Sequence, residues 1–345
     1  MPDRQGLAIA RQGTEVVRAA AASGGDPESY RTLKAVASRA PTLSSPPLAA
    51  PSEYRPRRWL PALLFAATVV TAMAVGARLQ FNFDRGVPAY RGNTDVFPFL
   101  WLWRHPAYFG LGWPFAATLL GILLVHELGH YLTCRHYGLA ATLPHFIPAP
   151  TLIGTLGAFI YIRSPFRTRR QLFDVGAAGP LAGFALALPL LVWGLAQSHL
   201  RLPAYGAALR FGWPPLMLLV WRWLHPGVAP DVVSLSPVAR AAWVGLLATM
   251  LNLIPSGQLD GGHILYTFFP RTHRWVSWAM VAVMLFMGWR FWDGWYLWAG
   301  LLLVMRARHP YVPQAPPAGW ARAVLACLCL AILALTFLPA PFRLG

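Results

Sequence analysis

Val125-His126-Glu127-Leu128-Gly129-His130-Tyr131 lies in the C-terminal half of an apolar run that begins near Trp113. From Phe115 to Val125 that run carries no charge. At about 100° per residue, a helix places His126 and His130 roughly 40° apart and about one turn along its axis. Two imidazoles so placed can share one zinc ion, with Glu127 on the flank of the same face, within reach of a water at the metal. H-E-x-x-H also occurs by chance on solvated helix surfaces. Inside hydrocarbon that explanation fails, because an acid at a helix centre costs on the order of 2.5–3.5 kcal/mol unless something compensates it. A divalent ion is the natural compensation.

Composition agrees with hydrocarbon. The 345 residues are 56% hydrophobic and only 12% charged, with a mean hydropathy of +0.46. Soluble domains run near 25% charged, so the chain reads as an integral membrane protein. Its net charge of +17 is spread between apolar runs and is nearly all arginine, Lys34 being the single lysine. Dispersed arginine beside hydrophobic spans fits membrane anchoring rather than a phosphate-binding stripe, so no nucleic-acid partner is expected. Cys134, Cys327 and Cys329 form neither a disulfide framework nor a zinc spacing. Cys134 is expected as a small buried helix residue rather than a metal ligand.

The expected architecture is an all-α polytopic membrane protein of about six transmembrane helices, with a re-entrant loop or β-hairpin next to the metal site. Residues 1–58 read as a mobile polar tail carrying five acids. Residues 59–110 supply a first span, Trp59–Ala77, and an aromatic, arginine-rich interfacial loop. The stretch 111–270 is the catalytic membrane core, and 271–345 the C-terminal transmembrane helices. Arg55, Arg57 and Arg58 favour an N-terminus on the cytoplasmic side, which places the HELGH sequence nearer that face. Pro144, Pro148 and Pro150 forbid a helix over Leu143–Ile162, whose β-branched and aromatic end suggests strand. A third span, Val175–Gln197, opens with Gly179 and Gly183, a G-x-x-x-G face for close helix packing. Residues 198–236 read as a partial insertion.

A fourth span, about Pro237–Ile254, runs into Asn252-Leu-Ile-Pro255-Ser-Gly257-Gln-Leu259-Asp260-Gly261-Gly262-His263. After residue 100 the chain has five acids, Glu127, Asp174, Asp231, Asp260 and Asp293, of which Glu127 and Asp260 fall in these two motifs. Asp260 is the expected third zinc ligand. Two histidines and one carboxylate with an open fourth position make a catalytic rather than a structural zinc site. His263 is expected as an interfacial histidine.

With both motifs in view, the chain resembles the site-2 protease family of intramembrane zinc metalloproteases, bacterial and plastid members most of all. The resemblance runs from about Trp113 to Pro270 and rests on the HELGH sequence, Gly154-Thr-Leu-Gly157-Ala158, Gly179-Pro180, and Asn252-Leu-Ile-Pro255 through Leu259-Asp260-Gly261-Gly262. It implies one zinc ion held by His126, His130 and Asp260, with Glu127 as the catalytic glutamate and Asn252 near the substrate or oxyanion. It implies hydrolysis of a peptide bond within or beside the transmembrane helix of a single-pass membrane protein in the lipid bilayer, as in regulated intramembrane proteolysis. Many members carry a PDZ domain between the third and fourth core spans. Residues 198–236 are too few to hold one, so a PDZ size filter is not expected.

A helical substrate must unwind to be cut. The Gly154–Ile162 strand is a candidate to capture it by β-addition, with Gly154, Gly157 and Phe159 as candidate substrate-binding residues. The expected location is a bacterial inner membrane with the site toward the cytoplasm; a plastid membrane is the alternative. Three other functions stay open at this stage. A transporter or channel would line its path with these ionisable residues. An inactive relative would act as a scaffold, and a surface-acting zinc protease would cut soluble loops.

Overall fold

The first apolar run does not stop at Ala77. In the computed structural model, which describes residues 59–90, 95, 97–200, 209–230, 233–304, 309–312 and 319–344, helix α1 covers Trp59–Asp84. Arg78 does not end it, because Asp95 meets Arg78 Nε at 2.6 Å and the Trp101 ring lies 4.6 Å from its guanidinium carbon. The expected tail, 1–58, lies outside the described residues. A short helix α2 (Phe99–Arg104) and a 3-10 stretch, Pro106–Gly112, lead into α3 (Trp113–His136), which carries the HELGH sequence.

The proline-broken segment forms a hairpin. Strands β1 (His145–Pro148) and β2 (Thr155–Phe159) pair antiparallel, His145 with Phe159, Phe146 with Ala158 and Pro148 with Thr155. Leu156 and Gly157 together oppose Ile147, a bulge that puts Gly157 at φ +105°. Irregular backbone at such depth needs protein partners for its polar groups. Thr71 of α1 donates to the Gly154 carbonyl at 2.6 Å, and Tyr90 donates to the Leu152 carbonyl at 2.9 Å.

Helix α4 (Arg169–Ala196) begins where Thr168 caps the Gln171 N–H. It contains Pro180 and Pro189 without ending. Strand β3 (His199–Leu200) then pairs with β5 (Val233–Ser234), and β4 (Leu209–Phe211) with β6 (Phe342–Leu344). The amphipathic α5 (Pro215–Leu224) lies between them and is too short to cross a bilayer. Ser236 caps α6 (Pro237–Leu253) through the Ala239 N–H. Beyond a tight turn come α7 (Asp260–Phe268), α8 (His273–Arg290), α9 (Gly294–Val304) and α10 (Trp320–Thr336).

The protein is thus a mostly helical, polytopic membrane protein. Among the described residues, three helical stretches are long and apolar enough to cross a membrane: 59–84, 106–136 and 169–196. Shorter apolar helices, α5, α6, α9 and α10, stand beside these three. With its 17 residues α6 rises only about 25 Å, short of a hydrocarbon core of about 30 Å. Pro255 stops it, and the non-helical Ile254–Leu259 turn follows.

At the centre of the bundle α3, α4 and α6 pack against one another, and α4 also packs against α7 and α10. Its large buried side chains include Trp243, Trp221, Phe115 and Leu119. The helices approach closely where a side chain is missing. A Cβ on Gly194 of α4 would come within 2.7 Å of the Ala239 Cα of α6, and the Gly194 carbonyl accepts the Ser236 hydroxyl at 2.7 Å. Gly194→Val is therefore expected to overpack this contact by about 1–3 kcal/mol, read as a lowered unfolding midpoint in detergent.

Candidate metal centre

His126 and His130 project from one face of α3, and both are buried. The four-residue spacing sets their Nε2 atoms 3.1 Å apart. Asp260 opens α7, 130 residues further along the chain than His130, and its Oδ2 lies 3.3 Å from each of those nitrogens. Two donors each about 2.0–2.1 Å from a tetrahedral ion are separated by about 3.3 Å. The three atoms therefore already stand at ligand–ligand distances, and among the described residues this is the one group of three that could hold a metal ion. The donor set, two imidazoles and one carboxylate, fits zinc and leaves a fourth position for a reactant.

Two local devices bring Asp260 there. Pro255 ends α6, and Gly257 takes a positive φ while its N–H donates to Ser277 Oγ at 3.1 Å. Gly261 then lies so close to the end of α6 that a Cβ would overlap the Leu253 carbonyl. The Asn252 amide Nδ2 sits 3.3 Å from His126 Nε2, so the asparagine reaches the same group. Glu127 is buried on the same helix as the two histidines, and the Ile160 backbone N–H, just beyond β2, lies near its carboxyl group. The hairpin and the glutamate thereby lie close together.

Helix α4 supplies the wall. Val175 offers its carbonyl to His130 Nδ1 at 2.7 Å. A carbonyl only accepts, so the proton sits on Nδ1 and the Nε2 lone pair faces the metal position. A Cβ on Gly179 would overlap the His130 ring, and one on Gly183 would meet His126 Cβ at 3.1 Å. The small-residue face read from sequence packs directly on the two histidines.

Other expectations fare differently. Cys134 is fully buried with Leu139 and Val175 and contributes no donor to the metal group. His263, expected as interfacial, has a partner that its spacing did not show. It is half-buried, and its Nδ1 lies 2.7 Å from His309 Nε2, with Tyr266 stacked on His309 at 4.2 Å. Burial pushes His309 down to about 4, so that ring is neutral at physiological pH. Gly154 is buried, and a Cβ there would come within 2.6 Å of Ala72 Cα, so it anchors the hairpin to α1 and faces no open surface. Gly157 borders open space and Phe159 is 47% exposed, so both stay available to a partner strand. Sequence reasoning missed the Val175 carbonyl, which no residue type signals, and His309.

Residues 114–289 match the family described as Peptidase family M50. The chain is 34% identical over 219 residues to "Probable zinc metalloprotease EGY2, chloroplastic" of Arabidopsis thaliana, covering 59% of this chain and 37% of that protein. It is 31% identical over 248 residues to "Probable zinc metalloprotease EGY1, chloroplastic" of the same plant, covering 66% and 42%. A rice relative, "Probable zinc metalloprotease EGY3, chloroplastic" of Oryza sativa subsp. japonica, is 29% identical over 173 residues, covering 46% and 29%. The chain thus spans about two-fifths of the length of the two Arabidopsis relatives. No solved structure matches it significantly.

Because its Cβ would displace His130, Gly179→Ala is expected to weaken zinc retention about tenfold or more, measured by chelator competition on purified protein. Gly121→Ala, whose Cβ would meet only Leu186 at 3.9 Å, is expected to leave zinc retention unchanged.

Proposed function

From the chain's membership of Peptidase family M50, we propose that it is an intramembrane zinc metalloprotease that hydrolyses a peptide bond within or beside the transmembrane helix of a single-pass membrane protein. One observation carries this reading. Two histidines on an apolar, membrane-length helix and an aspartate from a second helix bring their donor atoms to 3.1–3.3 Å separations, with a buried glutamate alongside. His126, His130 and Asp260 would hold one zinc ion, which when bound supplies Lewis acidity toward water and the scissile carbonyl.

The chain's own groups do the rest. The Glu127 carboxylate takes the proton of the attacking water and delivers it to the leaving nitrogen. Asn252 Nδ2 donates to the carbonyl oxygen as negative charge develops there. Substrate in helical form hides its carbonyls, so an extended segment must be held. Among the described residues no strand but β1 pairs with β2, and its Leu156 and Phe159 are exposed. Backbone pairing to its free edge would present an extended substrate close to Glu127, since Ile160, the residue after β2, lies near that carboxyl group.

Membrane placement is part of the same proposal. The relatives' names carry a plastid location, which supports a plastid membrane and gives no support to a bacterial inner membrane.

Glu127→Gln is expected to lower cleavage by about 10²–10⁴-fold with zinc content unchanged. A comparison of membrane proteomes, wild type against Glu127→Gln, should show one or a few single-pass proteins accumulating uncut; cleavage at the wild-type rate by this variant would sink the reading. Gly157→Ala, strained by about 1–3 kcal/mol at φ +105°, is expected to lower kcat/KM about tenfold at constant zinc content. An unchanged kcat/KM would count against strand addition.

A further inference from the structure

Asp174 is the acid after residue 100 that the metal group and its mechanism leave unused within α4. Three donors from two other parts of the chain converge on it. Arg322 of α10 donates Nε to Oδ1 at 2.8 Å and Nη2 to Oδ2 at 2.6 Å, a two-pronged pairing. The Tyr137 hydroxyl donates to Oδ2. Tyr137 caps the C-terminus of α3, seven residues after His130 and therefore on nearly the same face of that helix. Burial, then the Asp174 carboxylate itself, raise the Tyr137 phenol, so it remains a donor at any physiological pH.

The residue after Asp174 is Val175, whose carbonyl holds His130 Nδ1. That carbonyl lies in a weak part of its own helix. Pro180 has no N–H, so the Gly176 carbonyl loses its partner four residues on, and the turns before the proline are less firmly joined to the rest of α4. They need another hold. Asp174 provides one, tying these turns to the end of the helix that bears both histidines and to α10. The gap between the two helices is filled by Cys134 and Val175, each essentially inaccessible to solvent.

We propose, taking the zinc-protease reading as given, that Asp174 with Tyr137 and Arg322 forms a positioning group for His130. The group fixes the Val175 carbonyl, and through it the ring orientation and tautomer of one metal ligand. Arg322 lies outside residues 114–289, the part that matches the family, so the C-terminal helix contributes to the metal centre without touching it.

The test is zinc affinity by chelator competition, unfolding midpoint, and cleavage kinetics, all on the full chain in detergent or nanodiscs. Asp174→Asn is expected to weaken zinc binding about 10- to 100-fold and to lower kcat more than it raises KM. Tyr137→Phe, which removes a single hydrogen bond, should shift affinity in the same direction by less and serves if Asp174→Asn does not fold. Asp174→Asn combined with Arg322→Gln should be no worse than the worse single variant, as for groups acting as a unit. Arg78→Gln, which breaks the Arg78–Asp95 pair elsewhere, should lower the midpoint and leave zinc affinity alone. Unchanged zinc affinity in both Asp174→Asn and Tyr137→Phe, with a wild-type protein that binds zinc and cuts, overturns the positioning role and spares the protease reading. A wild-type protein that binds no zinc overturns both.

Discussion

Three polar side chains, two imidazoles and a carboxylate, meet in a place where polar groups are costly. Uncompensated, an acid at the centre of a membrane helix costs on the order of 2.5–3.5 kcal/mol, and each unpaired backbone group adds to that. The rest of the architecture follows from this demand. Two ligands can come from one helix, since a four-residue step returns to the same face. The third comes from elsewhere in the chain, at the start of α7. Before it α6 stops early, the chain turns through Pro255 and Gly257, and α7 presents Asp260 from its first residue. The shortness of α6 is part of how the centre is made.

Backbone polarity meets the same demand on the other side. The hairpin of β1 and β2 is irregular, yet its loop carbonyls are taken up by Thr71 and Tyr90, and the Thr155 hydroxyl donates to the Ile147 carbonyl at 2.9 Å while accepting from the Gly157 N–H at 3.0 Å. On α4, one carbonyl is diverted to a histidine ring and another is released by Pro180. Glycines at 179 and 183 let this helix come close enough for that diversion. The geometry of the centre depends on main-chain groups as much as on side chains.

What could be read in the sequence divides along that line. His126, Glu127, His130 and Asp260 were legible because side-chain chemistry and spacing both point to a metal, and because so few acids occur in the apolar part of the chain. Asn252 was reached through family resemblance and does lie against His126. The small-residue face at Gly179 and Gly183 was legible as a packing surface, but nothing in a glycine says what packs against it. Val175 was illegible, since any residue has a carbonyl. The contact of His263 with His309 was illegible because the two lie 46 residues apart and only the fold brings them together. Helix lengths were legible in the middle of each apolar run and not at the ends, where Arg78 finds Asp95 and the helix simply continues.

The bulge in β2 has a consequence for how copies of this protein behave when crowded. An exposed strand edge will pair with any extended segment, including the same edge of a neighbouring molecule. Regular pairing requires donors and acceptors to repeat at a constant interval, and the Leu156–Gly157 bulge interrupts that repeat in the middle of a five-residue strand. Two such edges can match over a couple of residues and no further. A growing ladder of β-sheet between molecules therefore finds no second rung.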